Sequence, residues 1–195
     1  MRRLLPLLLL APALTGCLTP EPAPKLYVLD PVVPTAASLT RVSLAVAPAQ
    51  VPEYLDRPEL IVRTGPNEVK AVDGERWAER LPLTLARGVA DNLTRALGRP
   101  VPLTPADRPG AAPDYELFLT VTRLDIDPAG RNVSLEGTWS LFDTDARKEL
   151  QAAVFSQRES FSGTGLTGAV TALNRAVAAV SQGTLSALQS LPPKR

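Results

Sequence analysis

The sequence predicts an α/β domain of the α+β kind, a two-layer sandwich in which two main helices cover one face of a mixed or antiparallel sheet. Three long β-runs lie between Tyr115 and Phe161, separated by short turn clusters. Two amphipathic helical patterns, at Leu81–Leu97 and from Leu166 to Leu191, stand apart from them. Strands and helices therefore segregate instead of alternating strictly, the pattern of helices laid on one face of a sheet.

Taken in order, Lys25-Leu26-Tyr27-Val28-Leu29-Asp30 reads as a first short strand closed by Pro31. The run from Arg41 to Pro48 alternates with period two, with Val42, Leu44 and Val46 facing one way. Glu59–Arg63 and Glu68–Val72 flank Thr64-Gly65-Pro66-Asn67, a turn cluster between two β-rich runs, which predicts a hairpin. Trp77, Leu81, Leu85, Val89, Leu93 and Leu97 recur every four positions, predicting a helix from about Leu81 to Leu97 with the Trp77 stretch at its mouth. Pro82 suits the first turn, where its missing N–H costs nothing. Gly98 is a left-handed stop, followed by Pro100 and a proline-rich connection.

Tyr115–Ile126 places Leu117, Leu119 and Val121 on one face, then changes phase to Leu124 and Ile126, so a bulge is expected near Thr122-Arg123. Asn132–Phe142 keeps Val133, Leu135, Trp139 and Leu141 on a common face, and Glu149–Phe161 completes an antiparallel meander. Leu166, Val170, Leu173, Val177, Val180, Ala187 and Leu191 mark a long alanine-rich helix. Its spacing suits sheet packing and would also suit a coiled-coil partner; its length favours the sheet.

Ahead of this domain lies a different kind of sequence. Met1-Arg2-Arg3 precedes a short apolar run, the layout of a secretory signal peptide, and the run is too short to span ~30 Å of hydrocarbon. It ends Leu14-Thr15-Gly16-Cys17, which resembles the bacterial lipobox. The organisation expected is therefore a signal peptide over 1–16, lipidated Cys17 with a proline-rich tether over 17–25, and one domain over 26–192. A buried thiol is the other use for a lone cysteine, but Pro20, Pro22 and Pro24 make a poor surrounding for a core. Stable anchoring takes at least two acyl chains, at ~0.8 kcal/mol per buried methylene.

Cleavage before Cys17 takes 21 Lys and Arg to 19, against 20 Asp and Glu, a net side-chain charge of −1. That balance predicts no nucleic-acid binding. The chain has no histidine, so catalytic triads and HExxH zinc sites are excluded, and a single cysteine excludes cysteine-based zinc sites. Ser162–Gly168 lacks the Gly-Lys-Ser/Thr ending of a phosphate loop and reads as a strand-to-helix connection. Asp125-Ile126-Asp127 and Asp143-Thr144-Asp145 fall short of a calcium loop and read as turn entries. No catalytic residue set, metal site or cofactor is predicted, apart from the covalent lipid on Cys17.

One segment escapes ordinary strand and loop grammar. "VPEYLDRPELIVR", from Val51 to Arg63, is followed some twenty residues later by "ERWAERL", from Glu75 to Leu81. With the lipobox, the "YVLDP" strand and the C-terminal helix, these stretches resemble the ABC-type transport auxiliary lipoproteins, the PqiC-like proteins of Gram-negative envelopes. The resemblance covers essentially the whole mature chain. It implies a small domain similar to the N-terminal domain of TolB and a non-enzymatic role. Such lipoproteins accompany MCE-domain proteins and their permease or ABC transporter in moving lipids between membranes, and some form homo-oligomeric rings. Leu18 is not the aspartate associated with inner-membrane retention, which points to the outer membrane.

The resemblance makes Tyr54, Leu55, Asp56, Arg57, Arg76 and Trp77 candidate partner-binding residues. Each also has a structural alternative: Trp77 as a core or lid residue, Asp56 and Arg57 as props of a Pro-flanked turn. The second functional expectation is a lipid-binding module that carries an acyl chain in a cleft between helices and sheet.

Overall fold

A computed structural model describes residues 22–34, 43–103, 112–163 and 165–191. The signal peptide, Cys17, Arg41, Val42, most of the proline-rich connection and the residues after Leu191 lie outside that set. Seven strands form one mixed sheet: β1 (Lys25–Tyr27), β2 (Leu44–Val46), β3 (Glu59–Gly65), β4 (Glu68–Trp77), β5 (Tyr115–Asp127), β6 (Asn132–Asp143) and β7 (Lys148–Ser160). They run in the order β1-β4-β3-β5-β6-β7, and β2 pairs with β5. Helix α1 (Leu81–Leu97) and helix α2 (Leu166–Ser190) share one face. Leu85 and Val89 of α1, with Val177 and Val180 of α2, meet Leu119, Val121, Leu135 and Phe155 of the sheet.

The β5–β6–β7 meander follows its period-two pattern. Val133, Leu135, Trp139 and Leu141 are at most 5% exposed and point to the helices. On the opposite face Phe118 and Phe142 meet edge-to-face, ring centroids 6.3 Å apart. The ladder between β5 and β6 slips between Val121 and Arg123, which leaves Thr122 unpaired where the sequence changes phase. Gly137 sits where there is no room for a side chain: a Cβ there would stand 2.2 Å from the Thr120 carbonyl oxygen and 2.8 Å from Phe155 Cζ. Helix α1 has its expected bounds, with Pro82 in the first turn and Gly98 left-handed at φ 64°.

The front half of the chain departs from expectation in three places. β1 stops at Tyr27, because the next residues leave the sheet for the helices. β2 is buried on both faces: Leu44, Ala45 and Val46 are each at most 2% exposed. One of its edges runs parallel to β5, and on the other the Val46 N–H donates to the Pro102 carbonyl at 2.9 Å. The third departure concerns Glu75, Arg76 and Trp77, which end β4 instead of opening the helix. β1 and β3 hold them from either side, through the pairings Leu26↔Arg76 and Glu59↔Arg76. The four-residue step from Trp77 to Leu81 therefore crosses a strand–helix corner.

After β1 the chain forms a strap along the groove between α1 and α2. Leu29 is 8% exposed and packs over Gly88, where a Cβ would lie 3.1 Å from Leu29 Cδ1 and 3.3 Å from Val177 Cγ1. Asn92 of α1, 1% exposed, accepts from the N–H groups of Val32 and Val33 at 3.0 Å and donates to the Gly88 carbonyl at 2.7 Å. Asn174 of α2 accepts from the Asp30 N–H at 3.2 Å. A buried amide serving backbone donors contributes ~1 kcal/mol per bond, and leaving such donors unpaired costs ~1–3 kcal/mol.

Two glycines should therefore respond in opposite directions. Gly137→Ala forces a Cβ against backbone and should cost at least ~1–3 kcal/mol, the usual penalty of overpacking. At the exposed Gly183 of α2 the nearest atom to a Cβ is Trp139 Nε1 at 3.8 Å. Gly183→Ala should stabilise by up to ~1 kcal/mol through helix propensity. Urea unfolding of the soluble domain checks both signs.

Candidate functional site

The two unusual sequence stretches meet in space. Pro52 enters a single 3-10 turn, Glu53–Leu55, in which the Leu55 N–H donates to the Pro52 carbonyl at 2.9 Å and the Asp56 N–H to the Glu53 carbonyl at 3.1 Å. Leu55 is driven inward, to 2% exposure. The Asp56 carboxylate receives the Arg80 guanidinium through both oxygens, with Arg80 Nε 3.2 Å from Oδ1 and Nη2 on Oδ2. Arg80 is the residue that caps the start of α1. The Trp77 N–H donates to the Pro58 carbonyl at 2.8 Å, and the Ala78 N–H to the Tyr27 carbonyl at 2.8 Å. The turn thus ties together the end of β4 and the start of α1, and the residue after β4 holds the exit of β1.

This arrangement divides the six candidate residues. Leu55 and Trp77, 2% and 5% exposed, belong to the hydrophobic core and offer no surface to a partner. Asp56 is committed to Arg80. Tyr54 is 41% exposed, Arg57 is exposed with its Nε 3.5 Å from Glu59, and Arg76 is exposed on β4. The outward set is one aromatic and two guanidinium groups, side chains enriched at protein interfaces.

Just beyond, the strands carry a cluster that sequence reasoning missed. Asp125 is 4% exposed on β5, on the side of the sheet away from the helices, and was expected to open a turn. It accepts from Arg63 Nη2 at 2.7 Å and from Arg123 Nε, while Arg63 Nη1 reaches the carbonyls of Gly65 and Pro66 at 3.2 and 2.9 Å. Arg123 and Asp125 are two apart on one strand, a spacing that places them on one face and was the available signal. Asp127 and Asp143 are turn entries as expected, accepting from the N–H groups of Gly130 and of Asp145 and Ala146. Among the described residues no group of three or more candidate ligands could hold a metal ion.

The expected helix–sheet cleft is filled. The void between the helices and the sheet has a volume of about 10 Å³, lined by eight apolar side chains and no larger than the space of about one water. The outer groove between the helices is occupied by the strap. An acyl chain could enter neither without repacking. A larger depression of about 550 Å³, between the β3–β4 and β5–β6 turns, is open to solvent.

Burial on its own would raise the Asp125 pKa, but hydrogen bonds from Arg63 and Arg123 and their positive charge outweigh it and hold the carboxyl below its ordinary value. A depressed folded-state pKa stabilises the fold above the ordinary carboxylate pKa of ~3.9 and loses that contribution as pH falls through the folded value. Asp125→Asn should cost ~1–3 kcal/mol at pH 7 and should lose less stability than the native chain on acidification from pH 5 to 2. Denaturant unfolding across that range measures both.

A family model described as the ABC-type transport auxiliary lipoprotein component matches residues 27–183. The chain is similar to the crystal structure of protein XCC0632 from Xanthomonas campestris, with 21% identity, a TM-score of 0.67, and coverage of 82% of this chain and 91% of that one. A second solved structure, of an uncharacterized protein, is also 21% identical, with a TM-score of 0.69 over 86% of this chain and 99% of that one. Among curated proteins no match is found. With the family model covering most of the domain and two solved structures sharing its fold, the chain belongs to the ABC-type transport auxiliary lipoprotein family.

Proposed function

We propose that this protein is the periplasmic accessory lipoprotein of an MCE-type intermembrane lipid transport system, acting by protein–protein contact and without catalysis. It is held through diacylated Cys17, with Leu18 in the next position favouring the outer membrane. The observation that carries the reading is the convergence of the two family stretches into one unit. Its interior is fixed by Leu55 and Trp77, the Asp56–Arg80 pair closes its edge at the surface, and Tyr54, Arg57 and Arg76 face outward. A rigid turn with an outward aromatic and two arginines is suited to docking, because little side-chain and backbone freedom is lost on binding. The partner is the MCE-domain protein or its permease, and several copies in a ring would repeat the same face around its end.

The lipid-carrier alternative has less support, since among the described residues the void between helices and sheet is only about 10 Å³ and the strap occupies the helix groove. The chain has no histidine, which excludes an imidazole general base.

Arg57→Ala should abolish co-purification with the MCE-domain protein while shifting the melting temperature by no more than about 2 °C, since exposed substitutions usually change stability by under ~0.5 kcal/mol. Leu55→Ala should cost ~2–5 kcal/mol, as a core truncation does. A large stability loss in Arg57→Ala would instead make the arginine a structural prop. Chloroform–methanol extraction of the purified soluble domain should recover no stoichiometric lipid; an equimolar phospholipid would favour the carrier alternative.

A further inference from the structure

From β1 into the strap the chain alternates between buried and exposed side chains, with Pro31 half-buried, and its exposed row has the wrong chemistry for water. Tyr27, Leu29 and Val33 point inward at 9%, 8% and 6% exposure. Leu26, Val28 and Val32 point outward at 64%, 57% and 45%. An extended segment with one face on the protein ordinarily carries polar residues on the other. Between Leu26 and Val32 only Asp30 does so, and Arg95, whose Nη1 donates to the Pro31 carbonyl at 2.7 Å, brings a cation beside it. Lys25, its side chain 71% exposed, flanks the row at its start.

The position of this row in the chain supplies its occupant. Eight peptide steps separate Cys17 from Lys25, which at ~3.3–3.6 Å each reach at most ~26–29 Å. The strap is also fixed to the domain. Tyr27 Oη donates to Glu75 at 2.5 Å, Lys25 Nζ donates to the same carboxylate at 3.0 Å, and Asn92 and Asn174 hold the backbone beyond. We infer that Leu26, Val28 and Val32 rest in the phospholipid interface of the membrane that holds Cys17, so that the strap sets the orientation of the domain on the bilayer. This rests on the lipid anchor proposed above. Apolar side chains with flanking cations are what an interfacial contact requires, and a second membrane contact adds to what the acyl chains supply. Leu26 lies beside Arg76 in the sheet, so the membrane contact adjoins the docking face and would present that face along the bilayer surface.

Once Cys17 is acylated the mature chain has no other thiol, so a single introduced cysteine can be labelled selectively. Lipidated full-length protein carrying Val28→Cys or, as a second strap position, Val32→Cys is labelled with an environment-sensitive fluorophore. It is then reconstituted into phosphatidylethanolamine–phosphatidylglycerol vesicles. Val154→Cys, on the far sheet face and 81% exposed, is the control. The strap positions should show blue-shifted emission and at least twofold stronger quenching by spin-labelled lipid than position 154. Equal quenching at the two sites, in protein that floats with the vesicles and whose N-terminal peptide carries the diacylglycerol mass, overturns this inference and leaves the anchor standing. A blue shift without lipid quenching means that copies of the chain cover the row, and also overturns it. An unmodified N-terminal peptide in protein that does not float overturns the anchor and this inference together.

Discussion

The structure depends on one edge of β5. Along it, buried backbone groups must find partners, since an unpaired buried amide or carbonyl costs as much as a lost hydrogen bond. The segment after Ser43 meets this demand as far as Gln50. Tyr115 N–H donates to Ser43, Leu117 and Leu119 accept from Ala47 and Gln50, and Val121 N–H donates to Gln50. The same edge is taken up again by β3 at Val62↔Ile126. Between these contacts the chain leaves the sheet, and that excursion is the Pro52–Pro58 turn. It departs opposite the stretch where β5 itself bulges at Thr122. The turn is thus a bounded detour pinned at both ends by parallel pairing.

Pinning gives the turn its functional value. Leu55 and Trp77 fasten its inner side to the core, and Asp56 couples it to Arg80, the residue just ahead of α1. The N-terminal strap uses the same helix from the other side, through Asn92 and Gly88. The proposed docking residues and the segment that follows the proposed anchor are therefore built on one helix and one sheet.

Much of this was legible in the sequence, and what was not has a common cause. The meander, the bulge, both helices and the glycine stop are local patterns, set by residues within a few positions of each other. β2 and the end of β4 are not local. Trp77 stands four residues before Leu81 and fits a helical period, but pairing with β1 and β3, set by distant sequence, holds it in a strand. Asn92 could be seen only as a polar residue on an apolar helix, because its partners lie sixty positions earlier. The two motif stretches were identifiable by resemblance. The sorting of their residues into buried supports and exposed contacts required the Asp56–Arg80 pairing, which no spacing rule predicts.

The central claim is that the turn's outward residues are the docking face of an envelope transport component. Site-specific photocrosslinking in intact cells tests it most directly, with a photoreactive residue at Tyr54 or Arg76 and a control at Val154 on β7, at the opposite edge of the sheet. Positions 54 and 76 should capture an MCE-domain protein or its permease, and position 154 should not. Capture of that partner from position 154 alone would contradict it.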